Sequence, residues 1–353
     1  MICYNNYIQY TNNLGEIEKS REEFCRDKEI QSLKDYLRDI EQNKGFVLNA
    51  GPCSEELNYK KSLSLLSSLS EACQVLKKKY KNPALVPRVF GQTFKLRTNI
   101  FDIRNNHILP NFFGEAVNNV GYDEFNREIN GNKLIQNYDH IRRCYQSYKT
   151  NNRLFFSHEI CDARYEEKFL QNGFVANSHL LWLGYRAIYN TRIIKFLSSI
   201  KNPIAIKIGP NTDVQHIKAL IQRINLENHK GKIVLIFRFG RKYVADLLPL
   251  FFEHLQSSDI NFVAMCDPMH GNNQKNKLSK FRIFDDLIYE MEVFKKSCVE
   301  NNVYFGGLNL EYSNQNIYEC IYNIDDKQKY LTNCDPCLNK SQLIKLINRL
   351  CDE

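Results

Sequence analysis

No apolar run in this 353-residue chain approaches the roughly 18 to 20 residues that span a bilayer, so a soluble protein is expected. The opening residues, Met1-Ile2-Cys3-Tyr4-Asn5-Asn6, lack the basic stretch and apolar core of a secretory leader, and the 12 cysteines share no repeating spacing. Both absences point to a reducing cytoplasm. Cys334-Asp335-Pro336-Cys337 is a lone CxxC with no second pair and no thioredoxin-like surroundings, which argues against a zinc ribbon or a redox motif. No Gly-rich phosphate loop follows the first strand signal, which argues against a doubly wound dinucleotide fold. An internal repeat and a domain linker are missing too.

The composition is that of an ordinary globular enzyme: 43% hydrophobic, 25% charged, net charge +8. Lys and Arg are dispersed, with Lys77-Lys78-Lys79 the one tight run, so anionic small substrates account for the basic balance and no nucleic acid is expected as partner.

Residues 1–44 read as a polar lead and one helix, with Ile30, Leu33, Leu37 and Ile40 at three- and four-residue intervals. From Gly45 onward, short β-like runs alternate with helical spacing. The runs are Gly45 to Ala50, Leu85 to Phe90, Leu154 to Ser157, His179 to Leu183, Pro203 to Ile208, Lys232 to Phe239, Ile260 to Met265 and Val303 to Leu310. Helices are predicted at Ser62 to Lys79, Tyr185 to Ser199, Asp213 to Asn225, Tyr243 to Gln256, Phe284 to Glu300 and Lys340 to Leu350. Eight such units predict an α/β fold, a (β/α)8 TIM barrel over 45–353, with a helical N-terminal extension over 1–44 and an insertion after strand two from Thr98 to Asn152.

In such a barrel the C-terminal strand ends converge on one site. Two chemistries collect there. Cys53, His270 and Glu311, with Asp335 beyond strand eight, offer the S, N and O donors that hold a divalent transition metal. Arg88, Lys95, Arg97, Arg186, Lys207 and Arg238 offer cations suited to phosphate and carboxylate. A polyanionic substrate is expected.

Several runs carry a resemblance. Asn49-Ala50-Gly51-Pro52-Cys53-Ser54-Glu55, Arg88-Val89-Phe90-Gly91-Gln92 through Thr98, Ser157-His158-Glu159, Asn202 to Pro210, Asp267-Pro268-Met269-His270-Gly271-Asn272, Gly306 to Glu311, Glu319-Cys320 and Cys334-Asp335-Pro336 resemble the class II 3-deoxy-D-arabino-heptulosonate 7-phosphate (DAHP) synthases. The resemblance implies a metal-dependent condensation of phosphoenolpyruvate with erythrose 4-phosphate, releasing phosphate, at the head of aromatic biosynthesis. It implies Cys53, His270, Glu311 and Asp335 as ligands of one divalent ion, Mn2+ or Co2+ first and Zn2+ or Fe2+ next. It implies phosphoenolpyruvate on Arg88, Lys95, Arg186, Lys207 and Arg238, the aldose phosphate on Arg97, Thr98, Lys280 and Arg282, and catalytic work for Lys207, Asp267 and His270. A homo-oligomer is expected, and no membrane partner. Cys334, adjoining Asp335, is expected near Cys53.

The chain also departs from the family pattern. Pro52 stands in place of an Asp, Leu96 in place of a Pro, Tyr185-Arg186-Ala187-Ile188 in place of Glu-Arg-Thr-Arg, and Asn309 in place of a His. Leu109 to Glu115 lacks the family's Arg, and Ile321-Tyr322 replaces Gly-Gly. The ligand set is kept while part of the anion lining changes. A paralogue with another aldose phosphate, or a non-catalytic binding member, is the alternative expectation.

Overall fold

A computed structural model describes residues 25–54, 58–88, 101–104, 107–114, 118, 154–276, 280–332 and 334–352. The first element, helix α1 (Asp27–Glu41), buries Ile30, Leu33, Leu37 and Ile40 along one stripe, as their spacing requires. Leu33, Leu37 and Ile40 pack into one cluster with Val47, Ala84, Leu180, Ala205, Val234 and Val263, which come from six strands of one sheet, and with Phe155, just ahead of a seventh. The helix therefore plugs the N-terminal end of a barrel. A Cβ on Gly306 would lie 2.5 Å from Val263 Cγ1 and 2.8 Å from Ile40 Cγ2, so the close approach of helix to sheet needs a glycine there.

The strands are β1 (Val47–Gly51), β2 (Ala84–Leu85), β3 (Ser157–Glu159), β4 (Leu180–Leu183), β5 (Ile204–Ile208), β6 (Ile233–Phe237), β7 (Val263–Cys266) and β8 (Phe305–Glu311). Each pairs in parallel with its neighbour in chain order from β3 to β8, and β8 pairs with β1, which pairs with β2. Closure comes between β2 and β3, where Leu85 bridges Leu154, Phe155 N–H donates to Leu85 O (3.0 Å) and Ser157 N–H donates to Pro87 O (3.2 Å). The (β/α)8 barrel is thus the observed fold. Strand β2 is Ala84–Leu85, Pro87 beyond it has no N–H to give a ladder, and Val89 and Phe90 of the expected strand lie outside the described residues.

Outside lie α2 (Tyr59–Leu76), α3 (Thr191–Leu197), α4 (Val214–Ile224), α5 (Val244–Gln256), α6 (Phe284–Glu300) and α7 (Lys340–Cys351). The Asn58, Asn190, Asp213 and Asn339 side chains accept N–H bonds at the starts of α2, α3, α4 and α7. The helix predicted from Tyr185 is corrected by this chemistry. Asn190 captures the N–H groups of Arg192 and Ile193 and starts α3 at Thr191, which leaves Tyr185 and Arg186 in the loop after β4. Between β3 and β4 the connection holds only a helical turn, Ala163–Glu166, a 3-10 turn and a small hairpin. Of the predicted insertion, a hairpin of Phe101–Arg104 with His107–Pro110 is described, and most of the rest lies outside the described residues. A further small sheet pairs Gln274–Lys275 with Lys280–Ile283, and the latter in parallel with Cys320–Ile321.

Strand parity carries the site. Val234 and Ile236 face the plug cluster, and two residues further along the same face is Arg238; Val263 and Met265 lead likewise to Asp267, Ala205 to Lys207, and Val86 to Arg88. Apolar fill below and reactive groups above are one alternation.

Candidate active site

The turn after β7 is organised by Asp267. Its Oδ1 accepts the backbone N–H groups of Met269 (3.0 Å) and His270 (3.1 Å), and its Oδ2 accepts from His270 Nδ1 (2.7 Å) and Asn309 Nδ2 (2.7 Å). Lys207 Nζ stands 3.7 Å from the same Oδ2. Burial pushes this carboxyl upward, but the charge and hydrogen bond of His270, with Lys207 and Arg238, outweigh it and hold the pKa well below the carboxylate range. With Nδ1 turned to Asp267, Nε2 is the nitrogen that His270 directs toward Glu311.

That Nε2 lies 3.1 Å from Glu311 Oε1. Cys53 Sγ, a Glu311 oxygen and an Asp335 oxygen lie within 4.8 Å of one another, with Cys53 Sγ 3.6 Å from Asp335 Oδ2. The set fits a divalent ion on two grounds: it combines thiolate, imidazole and two carboxylates, and Glu311 Oε1 is buried with, among the described residues, only the His270 imidazole against it. His270 joins the other three through Glu311. Behind Glu311, Arg282 Nη2 donates to Oε2 (2.5 Å) and Nη1 donates to Pro336 O, with Arg282 and Glu311 both fully buried. Burial acts to raise the Glu311 pKa, yet His270 and Arg282 hold it well below its usual value. Cys53, Cys334 and Cys337 share an apolar cluster with Phe112 and Ile317.

A cavity of about 570 Å³ opens beside this set, lined among others by Arg186, Lys207, Arg238, His270, Lys280 and Asp335. Lys207 is buried with Nζ 4.2 Å from the centre of the Trp182 ring; burial is the main cause pulling its pKa down to about 8, with Asp267 opposing. Arg238 Nε is buried and has no hydrogen-bond partner among the described residues. Lys280 Nζ donates to Asp335 Oδ1 (3.1 Å).

Two loops of the rim are pressed together. A Cβ on Gly271 would meet Gly240 N at 2.2 Å, and one on Gly240 would meet Gly271 O at 2.5 Å, so the loop after β6 and the turn after β7 touch backbone to backbone. Buried Glu290 of α6 ties them, accepting from Gly240 N–H (2.8 Å) and from Asn272 Nδ2 (2.7 Å).

Of the residues expected at the site, Cys53, Asp267, His270, Glu311 and Asp335 come together, and Arg186, Lys207, Arg238 and Lys280 line the cavity. Two lie elsewhere than expected. Arg88 is buried in the wall, its Nη2 donating to Gly51 O and Leu310 O (each 2.7 Å) across the ends of β1 and β8. Arg282, expected to face an aldose phosphate, instead backs Glu311. Lys95, Arg97 and Thr98 lie outside the described residues. The lining also includes Asn111, Glu159, Trp182, Tyr185, Asn273 and Lys275, not expected as site residues. Glu159 and Trp182 end barrel strands, a signal available in the sequence; Asn111 follows the inserted hairpin and carried none.

A closed (β/α)8 barrel with a cation-lined cavity at its C-terminal mouth defines an enzyme for a small anionic substrate. The chain belongs to the Class-II DAHP synthetase family, whose model it matches over residues 2–150 and 142–350. It is 27% identical over 407 aligned positions to a phospho-2-dehydro-3-deoxyheptonate aldolase of Neurospora crassa, covering 90% of this chain and 84% of that one. A Mycolicibacterium smegmatis protein of the same description is 26% identical, with the same coverage. A solved phospho-2-dehydro-3-deoxyheptonate aldolase from Francisella tularensis shares the fold, with TM-score 0.57, 17% identity and coverage of 97% and 95%.

Proposed function

We propose that this protein condenses phosphoenolpyruvate with erythrose 4-phosphate to DAHP and inorganic phosphate, with one divalent ion on Cys53, His270, Glu311 and Asp335. The observation that carries this reading is Asp267, which touches His270 of the donor set and Lys207 of the cation wall and so joins the two chemistries.

A divalent ion on this set supplies a Lewis acid for the aldehyde oxygen. Lys207, Arg238 and Arg186 bind the phosphoenolpyruvate anion, screen its repulsion from the second phosphate and hold its C3 toward the aldehyde carbon. As the C–C bond forms, positive charge develops at C2, and Glu159, which lines the cavity, takes a proton from the water that adds there. The C2–O bond to phosphorus then breaks, and phosphate leaves with the bridging oxygen. The sum is phosphoenolpyruvate plus aldose phosphate plus water giving DAHP plus phosphate.

Lys207 gives this reading a pH signature. Binding an anion needs the ammonium form, and the proton is lost as pH rises through about 8. We expect kcat/KM for phosphoenolpyruvate to fall about tenfold per pH unit above that point, as a single required acid does. Lys207→Arg, which keeps its charge, flattens the profile. A wild-type profile level to pH 9.5 contradicts the assignment.

The wider test is a panel of tetrose and pentose phosphates offered with phosphoenolpyruvate to the metal-loaded protein, scored by phosphate release. Erythrose 4-phosphate is expected to give the highest kcat/KM; a pentose phosphate ahead of it reassigns the second substrate, and no turnover with any of them overturns the reading.

A further inference from the structure

Glu319 is fully buried, and four donors on one loop converge on its carboxylate. Oε1 accepts the backbone N–H groups of Leu331 and Thr332 (each 2.8 Å), and Oε2 accepts the Thr332 hydroxyl (2.7 Å) and the Cys337 N–H (2.8 Å). A carboxylate has about four lone-pair sites, and all are used here. The donors straddle Asp335, with Leu331 and Thr332 before it and Cys337 after it. Glu319 is itself fixed: its carbonyl accepts from Arg282 N–H (3.3 Å) in the ladder that joins Lys280–Ile283 to Cys320–Ile321, and Gln342 Nε2 donates to Cys320 O (2.5 Å). One small sheet thus carries Arg282, which backs Glu311, and Glu319, which gathers the loop bearing Asp335.

We propose that Glu319 is the positioning residue for Asp335. It draws Leu331, Thr332 and Cys337 together on either side of Asp335, whose carboxylate then faces Cys53 and Glu311, so its hydrogen bonds set the affinity of this centre for a divalent cation. The inference rests on the ligand assignment made above, but it is tested by metal binding alone. A chain that binds Mn2+ in this way and turns over no aldose phosphate contradicts the proposed reaction and leaves this proposal standing.

Glu319→Gln keeps the shape of the side chain and replaces one acceptor oxygen by an NH2, so donors of the loop then face a donor. Mn2+ affinity is read by competition with a chelating dye, and unfolding of the metal-free protein is followed in parallel. The dissociation constant is expected to rise 10- to 100-fold, the range found when the support of a ligand is removed. The decisive comparison is made on an Asp335→Ala background, where Glu319→Gln is expected to change Mn2+ affinity by less than twofold, since there is no carboxylate left to position. A general loss of structure would weaken binding equally in both backgrounds, and that result overturns the proposal, as does wild-type affinity in Glu319→Gln. If Glu319→Gln does not fold, Thr332→Val removes one donor and is read in the same two backgrounds. A several-fold weakening confined to the Asp335 background supports the proposal, and equal or no weakening overturns it.

Discussion

His270→Ala is expected to lower kcat by about 10³-fold or more and to weaken divalent-metal binding with it. The size follows from what a Lewis acid contributes, several kcal/mol of transition-state stabilisation, at 1.36 kcal/mol per factor of ten. The variant loses more than a ligand. Asp267 loses the imidazole that donates to its Oδ2, and burial, which acts to raise the pKa of this carboxyl, is then opposed mainly by Lys207 and Arg238. Lys207 in turn keeps its partner, so binding of phosphoenolpyruvate in the absence of the second substrate is expected to change little. Metal content by atomic emission, kcat by phosphate release and phosphoenolpyruvate binding by calorimetry separate these consequences. Full activity in metal-loaded His270→Ala would remove His270 from the ligand set.

Arg282→Met is expected to destabilise the metal-free protein by about 3–5 kcal/mol, the cost of leaving one member of a buried ion pair without its partner. Glu311 is fully buried, and the guanidinium of Arg282 is, with His270, what keeps it ionised. Pro336 O loses its donor as well. A divalent ion on Glu311 restores positive charge beside it, so Mn2+ is expected to raise the melting temperature of Arg282→Met more than that of the wild type. If Arg282 bound the aldose phosphate, the variant would show a raised KM for that substrate at unchanged stability. The two outcomes are read from one set of thermal scans and one kinetic titration.

The contrast between these residues shows what could be read from the chain. Periodicity of two along each strand is a local property, so the step from Val234 and Ile236 to Arg238, or from Val263 and Met265 to Asp267, was visible without a structure. The same holds for α1, whose stripe of Ile30, Leu33, Leu37 and Ile40 needed a partner surface and found the floor of the barrel. Local capping is not carried by apolar spacing: Asn190 takes the N–H groups of Arg192 and Ile193 and releases Tyr185 and Arg186 to the cavity rim, although the spacing through that stretch predicts helix. Non-local contacts were beyond reach. Arg282 looked like another cation near the mouth. Its burial depends on the register of Arg282 opposite Cys320, a pairing between segments far apart in sequence. Arg88 followed strand parity correctly but spends its guanidinium on Gly51 O and Leu310 O, which only the closed barrel brings within its reach.

The most direct measurement strips the protein with a chelator, adds phosphoenolpyruvate and erythrose 4-phosphate, and follows phosphate and the 3-deoxy sugar acid with and without restored Mn2+. The account predicts one phosphate per sugar acid with Mn2+, and neither product without it. Phosphate release that needs no aldose phosphate, or a metal-restored protein that forms no sugar acid, would contradict it.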